Sequence, residues 1–299
     1  MSSAGLDAIA TDDHTFAVVA MDQRGTLARM YSAVGRDDVP DEEKVALKRD
    51  VLDGLRGVAS AFLVDPDYGL PAARSLGAGP RFGTLIAAEP AKRGSHEGEP
   101  RVHRDAALSA AWVREQGGNA LKFLVQVRAD RVAEGHPDLT AEALDVVREV
   151  VADCAAEGVP SVIENLIYPL KGAAQLSPEE RTAAILGAAE ALDDARPSLL
   201  KLEYPGSPEA CRTLAGMLHV PWAVLSAGVS MTEFSEVLRV SCDEGGASGF
   251  IAGRAIWKET VGMDPAARQA FLAGEGSRRL EECRKTIDGR ARPWREAVS

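Results

Sequence analysis

Ser198-Leu199-Leu200-Lys201-Leu202-Glu203-Tyr204 has the length and apolar content of a strand buried on both faces, yet a lysine stands at its centre. Lysine is almost never fully buried without a partner, so Lys201 needs an explanation. One is a residue near a strand end, its stem in the core and its amine reaching the surface. The other is an amine held in the dry mouth of a barrel, its charged form disfavoured, acting as a Schiff-base nucleophile. Taken alone, the stretch favours the first explanation. The rest of the chain reverses it.

Similar apolar, β-rich runs recur on both sides, at 16–21, 61–64, 82–88, 120–127, 159–163, 222–225 and 249–252. Most lead through a turn into a helical pattern. Ser177-Pro178-Glu179-Glu180 combines an N-cap serine, a proline at the first helical position and a glutamate that can close a capping box. Ser207-Pro208-Glu209 and Ser230-Met231-Thr232-Glu233 start helices in a related way, and Gly158 closes a long amphipathic helix over 139–157. A helix is also predicted over 101–116, after a polar, glycine-rich loop at 92–100. Eight runs alternating with helices predict an α/β fold, a (β/α)₈ TIM barrel. A doubly wound open sheet shares the alternation. Closure is favoured because no GxGxxG follows the first run and polar residues end nearly every run. Without a repeat, linker or composition break, residues 1–299 are expected to form a single domain with a helical tail from about 264.

Charge and cysteine usage narrow the partners. The net charge of −11 argues against a nucleic-acid or anionic-membrane surface, so an anionic substrate would need local basic groups to hold it. Cys154, Cys211, Cys242 and Cys283 are far apart, which suits reduced thiols of a cytoplasmic protein. Residues 1–11 lack the basic start and apolar core of a signal peptide, and no apolar run approaches the length of a membrane span. His14, His96, His103, His136 and His219 are scattered, so neither a metal nor another cofactor is expected. His96 reads as an exposed loop residue, within reach of an anionic substrate tail. The tail at 265–287 is long enough to cover a barrel end or a neighbouring subunit of a homo-oligomer.

In such a barrel the active site lies at the C-terminal ends of the strands. There the sequence supplies Asp22, Gln23, Asp65, Glu89, Lys122, Glu164, Lys201, Ser226 and Arg254. Polar residues are ordinary in loops, but two amines, several carboxylates and an anion site suit carbonyl chemistry through an iminium. The attacking amine must be uncharged part of the time, and a second cation such as Lys122 promotes that. Glu164 is the natural proton carrier, with Asp22 second. Equally, Glu164 could be a plain salt-bridge partner of either lysine. Ser226-Ala227-Gly228 and Gly253-Arg254 follow the last two runs, where barrels of this type often hold a phosphate.

The ordered set Asp22-Gln23-Arg24-Gly25, Leu121-Lys122-Phe123-Leu124, Ile163-Glu164, Leu200-Lys201-Leu202-Glu203, Leu225-Ser226-Ala227-Gly228-Val229 and Gly253-Arg254-Ala255-Ile256-Trp257 resembles one family of class I aldolases. It comprises the tagatose 1,6-bisphosphate and 6-deoxy-6-sulfofructose-1-phosphate aldolases, and the resemblance covers roughly residues 14–262. It implies Lys201 as the Schiff-base lysine, Glu164 as acid/base and Lys122 as a substrate-contacting lysine. It further implies Asp22 and Gln23 at substrate hydroxyls, and Ser226, Gly228, Gly253 and Arg254 at the phosphate of the dihydroxyacetone half.

The expected reaction is reversible cleavage of a ketose 1-phosphate to dihydroxyacetone phosphate and a three-carbon aldehyde. Residues 121–129 and 245–262 look closer to the sulfofructose enzyme. Few cations (Lys92, Arg93 and Arg128) stand near the aldehyde side, which suits a sulfonate and its single charge. Tagatose or fructose 1,6-bisphosphate is the alternative substrate. A Schiff-base dehydratase, a synthetic aldol enzyme and a sugar-phosphate-binding barrel without catalysis remain as other readings.

Overall fold

Each apolar run is followed by enough chain for a crossover, so the runs pair in parallel and the helices between them cover the sheet. The computed structural model describes residues 5–77, 82–133, 137–172 and 175–297, so His136 lies outside the described residues. In chain order the strands are β1 (Phe16–Met21), β2 (Ala61–Val64), β3 (Gly83–Ala87), β4 (Gly94–His96), β5 (Glu99–Arg101) and β6 (Ala120–Val125). They continue as β7 (Ser161–Asn165), β8 (Leu199–Leu202), β9 (Trp222–Val224) and β10 (Gly249–Ala252). All except β4 and β5 close into a parallel barrel, ordered β1-β2-β3-β6-β7-β8-β9-β10 and back to β1. The protein is a single-domain (β/α)₈ barrel.

The helices are α1 (Gly25–Ala33), α2 (Asp41–Leu55), α3 (Gly69–Ser75), α4 (Ala110–Glu115), α5 (Leu139–Glu157) and α6 (Pro178–Asp193). After them come α7 (Pro208–Met217), α8 (Met231–Asp243), α9 (Arg254–Trp257), α10 (Pro265–Phe271) and α11 (Ser277–Ile287). Ser177 and Ser230 form the capping boxes that their sequences predict, and Gly158 ends α5 in the left-handed conformation. In the tail, Asp50 of α2 takes two bonds from the buried Arg268 guanidinium, at 2.8 and 2.6 Å, fastening α10 to α2.

Strand alternation sorts the core into two shells. Outward residues such as Val19, Phe62, Ile86, Phe123, Ile163 and Leu200 pack against the helices. Inward residues such as Phe16, Val18, Leu63, Leu85, Val162, Leu199 and Ile251 fill the barrel, with Leu6, Ile9 and Trp294 joining them. Continuing the same two-residue step up β6, β7 and β8 brings Lys122, Glu164 and Lys201 into the uppermost inward layer. That is why a lysine sits in the middle of an apolar run.

Two local expectations are corrected. Residues 92–100 are not an irregular loop. Residues 94–96 pair with 99–101 as a hairpin, whose buried Glu99 accepts from Arg131 Nε (2.8 Å) and from the backbone of Lys171 (3.1 Å). Those bonds pin the hairpin to the segments that follow β6 and β7. The helix expected over 101–116 starts only at Ala110, because Arg101 belongs to β5 and grips Glu142, while Ser109 provides the cap for Trp112 N.

Candidate active site

A cleft of about 480 Å³ opens at the C-terminal ends of the barrel strands, large enough for a small phosphorylated substrate. Glu164 and Lys201 are register partners on β7 and β8, so their side chains rise side by side into its floor. Lys201 Nζ lies 3.0 Å from Glu164 Oε1. The other carboxylate oxygen, Oε2, is 2.7 Å from Lys122 Nζ. One carboxylate therefore bridges two amines, and all three residues are more than 90% buried.

Lys122 is held more heavily than Lys201. It donates to Asp22 Oδ2 at 2.7 Å and to Glu89 Oε1 at 2.8 Å, in addition to the Glu164 contact. Burial works against its charge, but Asp22, Glu164 and Glu89 together outweigh that and raise its pKa well above the ordinary lysine value. Burial likewise opposes the Asp22 charge, and Lys122 and Lys201 overcome it to hold that carboxyl below its ordinary value. Lys122 is thus a fixed ammonium and Asp22 a fixed carboxylate. A permanent cation is a poor nucleophile and a good neighbour for one.

Gln23 Nε2 donates to Asp22 Oδ1 at 3.3 Å, while its buried Oε1 has no hydrogen-bond partner among the described residues. Beside them, at the ends of β9 and of β10, the strand that pairs with β1, Ser226, Gly253 and Arg254 line the cleft. Gly228 does not. It stands behind Arg254, at φ +87°, where an added Cβ would come within 3.3 Å of the guanidinium carbon. A glycine there leaves room for the guanidinium to lie against the backbone.

Asp65 is the one strand-end residue among those expected that the structure takes out of the site. It is fully buried, pairs with Lys48 and accepts the backbone N–H groups of Asp67, Tyr68 and Gly69, so it caps the start of α3. Only the fold reveals this, because Lys48 comes from α2. Of the three cations expected near the aldehyde side, Arg93 lines the cleft and bonds Gln126 at 2.8 Å. Lys92 is not among the lining residues, and Arg128 is buried on Asp130 and the Tyr168 carbonyl. Arg24, Arg29 and Arg181 also line the cleft, from α1 with the residue before it and from α6. No motif or spacing in the sequence singles out these three arginines. Arg24 lay in view within Asp22-Gln23-Arg24-Gly25, but nothing local distinguished it from an exposed turn residue. His96 sits in β4 and is not among the lining residues. Among the described residues, no group of three or more His, Cys, Asp or Glu could hold a metal ion, and no helix is long and apolar enough to cross a membrane.

Residues 16–259 match the model of the DeoC/LacD family aldolases. The chain belongs to that family. As a class I aldolase of the DeoC/LacD family, it is 29% identical to tagatose 1,6-diphosphate aldolase 2 of Streptococcus pyogenes, over 96% of this chain and 94% of the relative. It is also 29% identical to tagatose 1,6-diphosphate aldolase of Streptococcus pneumoniae, over 98% and 97% of the two chains. Among solved structures, an archaeal fructose 1,6-bisphosphate aldolase matches with a TM-score of 0.63 at 15% identity, covering 93% of this chain and 99% of that one. A Schiff-base-forming fructose-1,6-bisphosphate aldolase matches at 0.62 and 15%, covering 96% and 99%. The structural likenesses agree on the barrel fold.

Proposed function

We propose that this DeoC/LacD aldolase cleaves a ketose 1-phosphate carrying a second anion at its far end, giving dihydroxyacetone phosphate and a three-carbon aldehyde. The observation that carries the reading is the Glu164 carboxylate bridging Lys201 and Lys122 at the cleft floor. Lys201 Nζ adds to the C2 carbonyl to form a carbinolamine, and Glu164 protonates the departing hydroxyl, leaving a cationic imine. A base takes the proton of the C4 hydroxyl. The C3–C4 bond breaks, its electron pair flowing into the imine, so an enamine and the free aldehyde result. Protonation at C3 and addition of water then release dihydroxyacetone phosphate and restore the amine. Lys122, its charge secured, hydrogen-bonds substrate oxygens. Asp22 and Gln23 hold substrate hydroxyls, and the unpartnered Gln23 Oε1 suits that task.

Ser226, Gly253 and Arg254 are assigned the C1 phosphate, with Gly228 behind the guanidinium. Arg254→Ala is expected to weaken dihydroxyacetone phosphate binding by about 1.5–3 kcal/mol, the scale of a hydrogen bond to a charged group. Arg254→Lys recovers only part of that, because an ammonium lacks the two-pronged fork. Calorimetry on both variants checks this, and unchanged affinity in both removes Arg254 from the site.

The far terminus of the substrate sets the remaining choice. Of the arginines along the cleft, Arg181 is paired with Glu203, and Arg24 stands 3.8 Å from Asp67 and from Glu89. Arg29 and Arg93 bond the neutral Thr26 and Gln126, and those two favour a phosphate with nearly two charges. The names of the curated relatives point the same way, towards a ketose 1,6-bisphosphate of the tagatose type. The sulfonate, 6-deoxy-6-sulfofructose 1-phosphate, is retained as a second reading on the likeness of residues 121–129 and 245–262 to the sulfofructose enzyme. Cleavage rates on tagatose 1,6-bisphosphate, fructose 1,6-bisphosphate and the sulfosugar phosphate decide between them. A preference of about tenfold or more for the sulfosugar, over 1 kcal/mol in transition-state binding, would overturn the bisphosphate choice. Such chemistry suits a cytoplasmic enzyme acting on small sugar phosphates.

A further inference from the structure

Lys48 is fully buried on α2, outside the cleft lining, and no step above uses it. Its ammonium donates to the carbonyl of Met21 at 2.6 Å and to the carbonyl of Gln23 at 2.9 Å, the two residues that flank Asp22. Its third partner is the Asp65 carboxylate, itself saturated by three backbone N–H groups at the start of α3. The Tyr68 ring closes over the amine at 5.6 Å. Burying a lysine this deeply is unfavourable unless each donor is met, and here each donor is.

We infer that Lys48 is a positioning residue for Asp22, clamping the backbone on both sides of it so that its carboxylate meets Lys122 and the substrate. The clamp matters because β1 ends at Met21, where ladder hydrogen bonds no longer hold the chain. The carbonyls of Met21, at that end, and of Gln23, just past it, need donors inside the protein, and α2 reaches back across 25 to 27 residues to supply them. Asp65, the residue directly after the adjacent strand β2, anchors the amine, so the orientation of Asp22 is tied to the frame of the barrel. Burial lowers the Lys48 pKa, with Asp65 and Asp22 acting against it. The field of Lys48 also adds to those that hold Asp22 ionised.

The inference rests on the aldolase reading for the part Asp22 plays, and its test separates the two. Lys48→Met is made in the full-length chain. Because it leaves the Asp65 charge without its partner, Lys48→Met/Asp65→Asn is made beside it. A crystal structure of whichever folds is expected to show Asp22 displaced from Lys122. A retained contact near 2.7 Å overturns the inference whatever the activity. In kinetics on the cleaved ketose phosphate, kcat/KM is expected to fall about 10–100-fold, the scale of a misplaced group near the chemistry. Borohydride trapping of dihydroxyacetone phosphate on Lys201 should persist. The deciding comparison adds each change to Asp22→Ala. A residue acting through Asp22 costs nothing further in that background, whereas a fully additive loss shows a separate structural role and overturns the proposal. Wild-type protein that cleaves no ketose phosphate would count against the aldolase substrate reading, while the displacement of Asp22 still tests the clamp.

Discussion

Lys201→Met is expected to abolish the adduct that borohydride traps with dihydroxyacetone phosphate, and to lower turnover on the order of 10⁴-fold or more, as removal of a covalent nucleophile does. Methionine keeps the length and apolar character of the stem, so the top of the barrel should stay packed and the melting temperature nearly unchanged. The assignment of Lys201 as the nucleophile is our proposal, and it rests on partners. Lys122 meets the carboxylates of Asp22, Glu89 and Glu164, whereas Lys201 meets Glu164. A lysine whose ammonium is secured on three sides gives up a proton least readily. Peptide mass mapping of the reduced wild-type adduct gives the independent reading. An adduct that survives in Lys201→Met and vanishes in Lys122→Met would reverse the assignment.

Glu164→Gln is expected to reduce turnover by about 10²–10⁴-fold, the usual range for loss of a general acid or base. The amide keeps the shape of the side chain, and its single oxygen can still face Lys201, with the NH2 turned to the side of Lys122. Dihydroxyacetone phosphate binding should therefore survive better than turnover, and imine formation measured in a single turnover should slow sharply. Near-full activity would transfer the proton-carrying role to Asp22 or to a substrate phosphate. The same substitution also weighs the alternative that Glu164 is only a salt-bridge partner. A structural bridge predicts a loss of stability with little change in kcat, and a catalytic one predicts the reverse.

The alternation of short apolar runs with capped helices determined the α/β class, because both signals are local, and the missing GxGxxG with the polar run ends favoured closure over an open sheet. A short, continuous apolar run bounded by turns marks a strand buried on both faces, and Ser-Pro-Glu marks a helix start whatever surrounds it. Lys201 stood out for the same reason, since a charge inside an apolar run is a conflict visible within seven residues. Glu164 and Lys122 were legible from their place at the ends of neighbouring runs. Which charges meet was not legible, because ion pairing across a barrel joins residues far apart in the chain. Asp22 and Lys122 are 100 residues apart, and Asp65 looked like Asp22 until α2 brought Lys48 to it. The hairpin at β4–β5 likewise depends on bonds from Arg131 and Lys171 to Glu99, which no local pattern announces. Composition and periodicity decide what each segment becomes. Closure of the barrel alone decides which carboxylate serves an amine in the cleft and which caps a helix behind it.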